Sequence, residues 1–312
     1  MKNTYNTDAA KISISICTRQ RPQMLATLLQ SLENVIYPAG VEITIDVVEN
    51  NPEKQLTTVI KEASIKIRAK VNHHWVPTLG IPIARNAALR IAKESCATHI
   101  IFIDDDERVA PSWLEKLWQT YLTFDERSVI QGAVISSIQT TKNEHLHDYF
   151  QRPIKSTGDS LDTCATNNVI VQIKALEDHD LTFDESHPLA GGTDNKLFRK
   201  AHSHGIPMWY CAEAIVYEDI PEERVKISWL TKRHFRIGLT MGQNEKKSGA
   251  QLNYALSQAG EVIRYCTKSL SSRITLNRMK ADKRWLRACK AAGKSLGYFN
   301  ITIDSYRKID GN

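Results

Sequence analysis

THIIFIDDDE, residues 98–107, is an apolar run that ends, without a spacer, in four acids: Asp104, Asp105, Asp106 and Glu107. The apolar stretch reads as a buried strand. In open parallel sheets ligands bind beyond the carboxyl ends of the strands, which is where these acids stand. Four adjacent carboxylates repel one another and resist burial, so they are expected either to gather a divalent cation or to face solvent in an acidic turn. Mg2+ and Mn2+ prefer such hard oxygen ligands, and Mg2+ commonly combines one or two carboxylates with the phosphates of its substrate.

Working outward, IPIARNAALRIAKESC (81–96) reads as a helix with Pro82 in its first turn, and PSWLEKLWQTYL (111–122) as another with Pro111 near its start. Upstream, ISISIC (12–17) is a strand, TRQRP (18–22) a polar turn and MLATLLQSLENV a helix. The pattern returns in VEITIDVVEN (41–50), the helix KQLTTVIKEASIK and an extended piece at 71–76. Alternating strands and helices predict an α/β fold whose mainly parallel sheet carries helices on its faces. Downstream, SVIQGAVISSI (128–138), NNVIVQI (167–173) and MWYCAEAIVYE (208–218) read as strands, with an aperiodic polar excursion over 140–162. KALEDHD is a short helix, and PLAGGTDNKLFRKAHSHG a loop feeding a helix that Gly205 caps. SWLTKRHFRIGLTMGQ is helical, and 251–294 reads as one further helix.

The chain has 312 residues, 42% hydrophobic and 24% charged, which bounds it to an ordinary folded protein rather than a disordered or fibrous one. Its six cysteines form no CxxC pair and point to a reducing cytoplasm. The first residues, MKNTYNTDAAK, lack a signal peptide's apolar region, and no stretch is apolar for long enough to span a bilayer, so any membrane contact is expected to be peripheral. The net charge of +6 is uneven: residues 245–312 hold 14 Lys/Arg against 5 Asp/Glu. A basic tail suits an anionic partner such as phospholipid headgroups or a polyanion, and equally a solvated helical face. The pairs His202 with His204 and His145 with His147 do not share a helix face and have no cysteine at finger spacing, which argues against zinc.

A second constellation is Gly191, Gly192, Thr193 and Asp194 before a helix. Paired glycines let backbone approach a ligand, and an Asp at a helix start either caps it or, in a transferase, accepts the proton of an attacking hydroxyl.

Taken in order, ISICTRQRP, VVENN, GIPIARNAAL, FIDDDE, NNVIV, GGTD and RHFRIG resemble the family 2 glycosyltransferases of the GT-A fold, and most of all bacterial enzymes that build exopolysaccharides such as succinoglycan. The resemblance spans about residues 11–240, and ordered agreement is more specific than any single motif. It implies a GT-A catalytic domain over 1–244, a Rossmann-like, mixed but mainly parallel sheet flanked by helices, followed by a basic helical extension over 245–312. It further implies that Thr18, Arg21 and Pro22 grip the nucleotide and that Glu49 and Asn50 face its base. Arg85 would adjoin the pyrophosphate, while Arg233 and Arg236 meet the diphosphate. Asp104, beside Asp105, would lie near the ribose, and Asp106 would hold the metal, Mg2+ or Mn2+. Asp194 falls on the second acid of the family's GGED motif, the catalytic base, although Thr193 replaces the Glu before it. Where many members carry a histidine that assists the metal, this chain has Tyr217 and Glu218, which leaves Glu218 either a metal ligand or a structural residue.

The expected activity is therefore an inverting hexosyltransferase acting on a nucleotide-diphosphate sugar, with a UDP-sugar as donor and a saccharide or lipid-linked acceptor. The basic tail would touch an anionic membrane, and no nucleic-acid partner is expected. Two rival readings stand beside it. One is a sugar-phosphate nucleotidyltransferase, against which TRQRP offers no glycine-rich phosphate loop. The other is a non-enzymatic scaffold that holds a polyanion on the tail and its aromatics Tyr254, Tyr265, Trp285, Tyr298, Phe299 and Tyr306.

Overall fold

A computed structural model describes residues 10–186, 188 and 191–301; Tyr306 and the end of the basic tail lie outside the described residues. Strands β1 (Lys11–Thr18), β2 (Glu42–Glu49), β3 (Lys70–Trp75), β4 (His99–Asp104), β5 (Glu107–Val109), β6 (Val129–Ser137), β7 (Val169–Gln172) and β8 (Met208–Asp219) form one sheet in the order β3-β2-β1-β4-β7-β6-β8-β5. β1 pairs in parallel with β2 and β4, β2 with β3, and β6 with β8. β7 runs antiparallel between β4 and β6, and β5 antiparallel along β8, so the sheet is mixed.

The apolar runs are buried because both faces of the sheet are covered. Ile12, Ile14 and Ile16 of β1 face α1 (Pro22–Leu32), α2 (Thr57–Ser64) and α4 (Trp113–Tyr121) in one core cluster. On the opposite face Ile100 and Phe102 of β4 pack with α3 (Ile81–Glu94), α5 (Ile173–Glu177) and α6 (Thr193–Ser203). As expected, Pro82 occupies a first-turn position of α3, and Pro22, read as part of the turn, instead opens α1; in both places the missing N–H costs nothing. Parallel strands in register bring the ends of β1, β2 and β4 to one edge, with Cys17 opposite Asp104 and Thr18 opposite Glu49.

The C-terminal segment departs from expectation. Residues 251–294 form two helices, α8 (Leu252–Ile274) and α9 (Arg278–Tyr298). They are separated at Asn277, whose side chain accepts the Lys280 N–H as an N-cap. The apolar spacing runs on across this break, which hides it from a periodicity reading. α7 (Ile227–Lys247) runs on through residue 244 and lies against α9 at Gly238, Gly242, Gly293 and Gly297. A Cβ at any of the four would collide with the facing backbone, so only glycine permits this crossing. Leu230 of α7 and Leu286 of α9 then join Leu146, Phe150, Ile220 and Val225 in a third cluster, which fastens the helices to the loops around the sheet's edge.

Candidate active site

The acids after β4 do not face solvent together. Asp105 and Glu107 are 4% and 2% exposed, and Glu107 opens the short strand β5 opposite Glu218. Burial is tolerated because each acid finds partners. The carboxylate of Asp105 accepts from Thr18 Oγ1 at 2.7 Å and Arg21 Nη1 at 2.9 Å, which ties the β1–α1 turn to the end of β4. Its pKa is nevertheless raised by burial, with Arg21 opposing. Glu107, one of whose oxygens accepts the Asp104 N–H at 3.2 Å, is pushed well above the usual carboxylate range by burial and then by Asp104 and Asp106.

Asp106 lines a pocket of about 520 Å³ together with Gln23, Glu107, Arg108 and Asp219. Asp104 lies 3.6 Å from Arg85 Nη2 and keeps 43% of its side-chain surface. Its carboxyl is pushed up to about 6, first by desolvation, with Arg85 opposing and Asp106, Asp105 and Asp194 adding to the rise. Asp194, 90 positions further along the chain, is the smallest of these contributions. Asp106 lies 3.7 Å from Arg21 and 3.6 Å from Arg224. Glu218, at the end of β8, receives Arg152 at 2.7 Å and lies 4.0 Å from the same Arg224 Nη1. Asp106 and Glu218 thus converge on one cation.

Asp194 does not cap α6. The N-cap is Gly192, with φ near +83°, and Asp194 sits in the first turn, where its Oδ1 accepts the adjacent Asn195 N–H at 2.8 Å. Its neighbours Gly191, Gly192 and Asn195 line an open cleft of about 1070 Å³, together with Arg21, Glu218, Arg233 and Arg236 among others. Arg233 lies over the rings of Phe150 and Trp229, at 5.8 and 5.5 Å. Its pKa is lowered by burial; Glu218 opposes this, and the crowded Arg152, Arg224 and Arg236 reinforce it. Guanidinium groups packed together in this way form a ready site for an anion carrying several charges.

Glu49 and Asn50 are placed differently from what the resemblance implies. Glu49 is fully buried, and its carboxylate accepts from His73 Nε2 at 2.8 Å and from the N–H groups of Gln55 at 2.7 Å and Leu56 at 3.3 Å. Asn50 donates to the carbonyls of Val76 and Thr78 and accepts the Gly80 N–H. Both side chains hold the loops after β2 and β3, leading into α2 and α3, with little left for a ligand.

Arg152 and Arg224 were not foreseen. They come from aperiodic loops, over residues 138–168 and 220–226, where charge alone gave no signal. Among the described residues no three or more His, Cys, Asp or Glu side chains are grouped to hold a metal ion. Asp106 and Glu218 fit the sparser type of site, two carboxylates sharing a cation, that substrate phosphates complete.

A family model described as glycosyl transferase family 2 matches residues 13–180. The succinoglycan biosynthesis protein ExoM of Rhizobium meliloti (strain 1021) is 28% identical over 260 residues, covering 82% of this chain and 82% of ExoM. Among solved structures, S. aureus TarS residues 1–349 in complex with UDP superposes with a TM-score of 0.53 at 16% identity, covering 96% of this chain and 95% of that one. The same TarS fragment in a second crystal structure gives 0.53 at 15% identity, with 89% and 90% covered. The architecture is thus that of the GT-A glycosyltransferases.

Proposed function

The chain belongs to glycosyl transferase family 2, and from that premise we propose that it moves a sugar from a nucleoside diphosphate donor, a UDP-sugar, to an acceptor hydroxyl with inversion at the anomeric carbon. The match to a family of glycosyltransferases sets aside the nucleotidyltransferase and the non-enzymatic scaffold. The observation that supports the mechanism is an open cleft walled by Arg21, Gly191, Gly192, Glu218, Arg233 and Arg236, with Asp194 in the first turn of the helix that Gly192 caps.

In this reading Arg233 and Arg236 bind the diphosphate and stabilise the charge it gains as the glycosidic bond breaks. Arg85 holds Asp104 in place beside the ribose, and Thr18, Arg21 and Pro22 shape the nucleotide's cradle through Asp105. Asp194 accepts the proton of the acceptor hydroxyl from the face opposite the departing diphosphate, which is what makes the reaction inverting. Asp106 and Glu218 would hold Mg2+ or Mn2+, which supplies electrophilic stabilisation of the leaving diphosphate. Arg224, now between those two carboxylates, would then turn to the phosphates.

ExoM is named for succinoglycan biosynthesis, and an acceptor of the same kind, a saccharide of a growing polysaccharide or its lipid-linked form, fits an open cleft. Among the described residues no helix is long and apolar enough to cross a membrane. Contact with anionic lipid would rest on the cations of 245–312, and sedimentation with vesicles at low and high salt tests it.

The decisive experiment on the mechanism is Asp194→Asn. It is expected to lower kcat by about 10³-fold or more while UDP binding, measured by calorimetry, stays within a few-fold. Turnover that survives the substitution removes Asp194 from its role.

A further inference from the structure

Helix α8 carries an apolar stripe that nothing among the described residues covers. Leu252, Leu256, Ile263, Leu270 and Ile274 are 52%, 64%, 68%, 62% and 75% exposed. At 100° per residue the five fall within an arc of about 40°. α9 packs on the other side of α8, where Ala255, Ser269 and Ser272 are buried. Single exposed leucines are ordinary, but five in line over a 23-residue helix are not.

The spacing of the stripe, steps of four, seven, seven and four, reads the same in both directions about Ile263. A helix marked in this way is complementary to itself when turned end for end. Leu252 then meets the partner's Ile274, Leu256 meets the partner's Leu270, and Ile263 meets the partner's Ile263 on the two-fold axis. That is the self-complementarity a closed dimer requires.

A second observation points the same way. Gly260 lies in the middle of α8 and on its exposed side, and a Cβ there would meet nothing within 4 Å. A glycine in a helix interior is destabilising by about 1 kcal/mol relative to alanine, and the other helical glycines of this chain, in α7 and α9, each have a facing backbone to explain them. Gly260 has the same form without the facing helix. Ala259, Cys266 and Thr267, also small, border the stripe within a turn of Ile263, so a second helix could approach closest at the axis.

We propose that this protein forms a two-fold dimer in which α8 pairs antiparallel with α8 of a second copy. A lipid surface fits less well. An interfacial helix needs an apolar face of about 100° or more with cations along its edges. This stripe is a narrow seam edged by Asn253, Ala259, Gly260, Thr267 and Ser271, and Arg264 is turned to Glu261 and Tyr265 of its own helix. At about 35 Å, α8 is long enough for a paired seam to bury the several hundred Å² per partner of a specific interface. The inference does not depend on the glycosyl-transfer reading.

Sedimentation velocity of the full chain at micromolar concentration is expected to show a dimer. Ile263→Asp puts two carboxylates on the axis and is expected to weaken association at least about a hundredfold, with the melting temperature of the monomer unchanged because the side chain is exposed. Gly260→Leu separates the two effects: it favours the helix yet blocks the approach, so the monomer melts no lower while the dimer is lost. Ile263→Cys should link two copies by a disulfide on mild oxidation, whereas Leu270→Cys should do so only together with Leu256→Cys. A wild-type chain that stays monomeric, or a dimer that survives Ile263→Asp, overturns the proposal. So does an Ile263→Asp variant that loses vesicle binding while the parent is monomeric, which would make lipid the occupant.

Discussion

The two ends of β4, about 17 Å apart, each hold a titratable group whose pKa desolvation shifts, and they differ in everything else. His99 at the start is packed edge-on against Trp118 and Tyr121, with Thr98 Oγ1 at its Nδ1 and no partner for Nε2 among the described residues. Its pKa falls to about 4 through burial alone. Asp104 at the other end is shifted by burial too, but Arg85, Asp105, Asp106 and Asp194 all act on it. Burial by itself makes an inert group, whereas a site needs opposing charges held close with valence left over. By that measure Glu49 belongs with His99, although it too ends a parallel strand: its partners fill it.

The sharpest way to break this contrast is to neutralise one acid of each kind. Asp106→Asn is expected to lower kcat/KM by about 10²–10³-fold and to remove the response to added Mn2+, while the fold persists, because Asp106 lines an open pocket and its Arg21 neighbour keeps Asp105. Activity within a few-fold of the parent would show that Asp106 is no more than another structural acid. Glu49→Gln should do the reverse. Taking the charge from a buried carboxylate with three donors is expected to cost about 2–3 kcal/mol of stability, read in a denaturant midpoint, with kcat nearly unchanged below the unfolding range. A large loss of nucleotide affinity without loss of stability would return Glu49 to the base-binding role that the resemblance implies.

The sequence made the strands, the sheet edge and the acid run legible because these are local: apolar periodicity marks β1, β2 and β4, and adjacency marks Asp104 to Asp106. It did not show which acid would be spent on structure. Thr18 and Asp105 lie 87 positions apart, and Glu49 is engaged by two N–H groups that the turn into α2 delivers and by His73 from β3. β5 is too short to carry a period, so Glu107 looked like a fourth cleft acid. Arg224 is set by its packing over Trp229, which stacks on Phe150, and Arg152 by its pairing with Glu218, long-range contacts for which aperiodic loops leave no trace. The break after Ile274 was hidden because its one signal, a capping Asn, is common in loops.

The smallest effect tests the inert end of the strand. Because burial lowers the pKa of His99 in the folded protein, the unfolded chain binds the proton more readily between about pH 4 and pH 6.5. Stability contributed by the neutral imidazole is complete above that window and is lost as pH falls through it, by up to about 2 kcal/mol near pH 5. His99→Phe keeps the ring contacts with Trp118 and Tyr121 and cannot titrate. Its melting temperature should therefore fall less steeply than the parent's from pH 7 to pH 5, while kcat at pH 7 stays the same, since the start of β4 has no part in the cleft. Parallel pH profiles for the two proteins would mean that His99 finds a counter-charge in solution, and burial alone would no longer explain the difference between the strand's two ends.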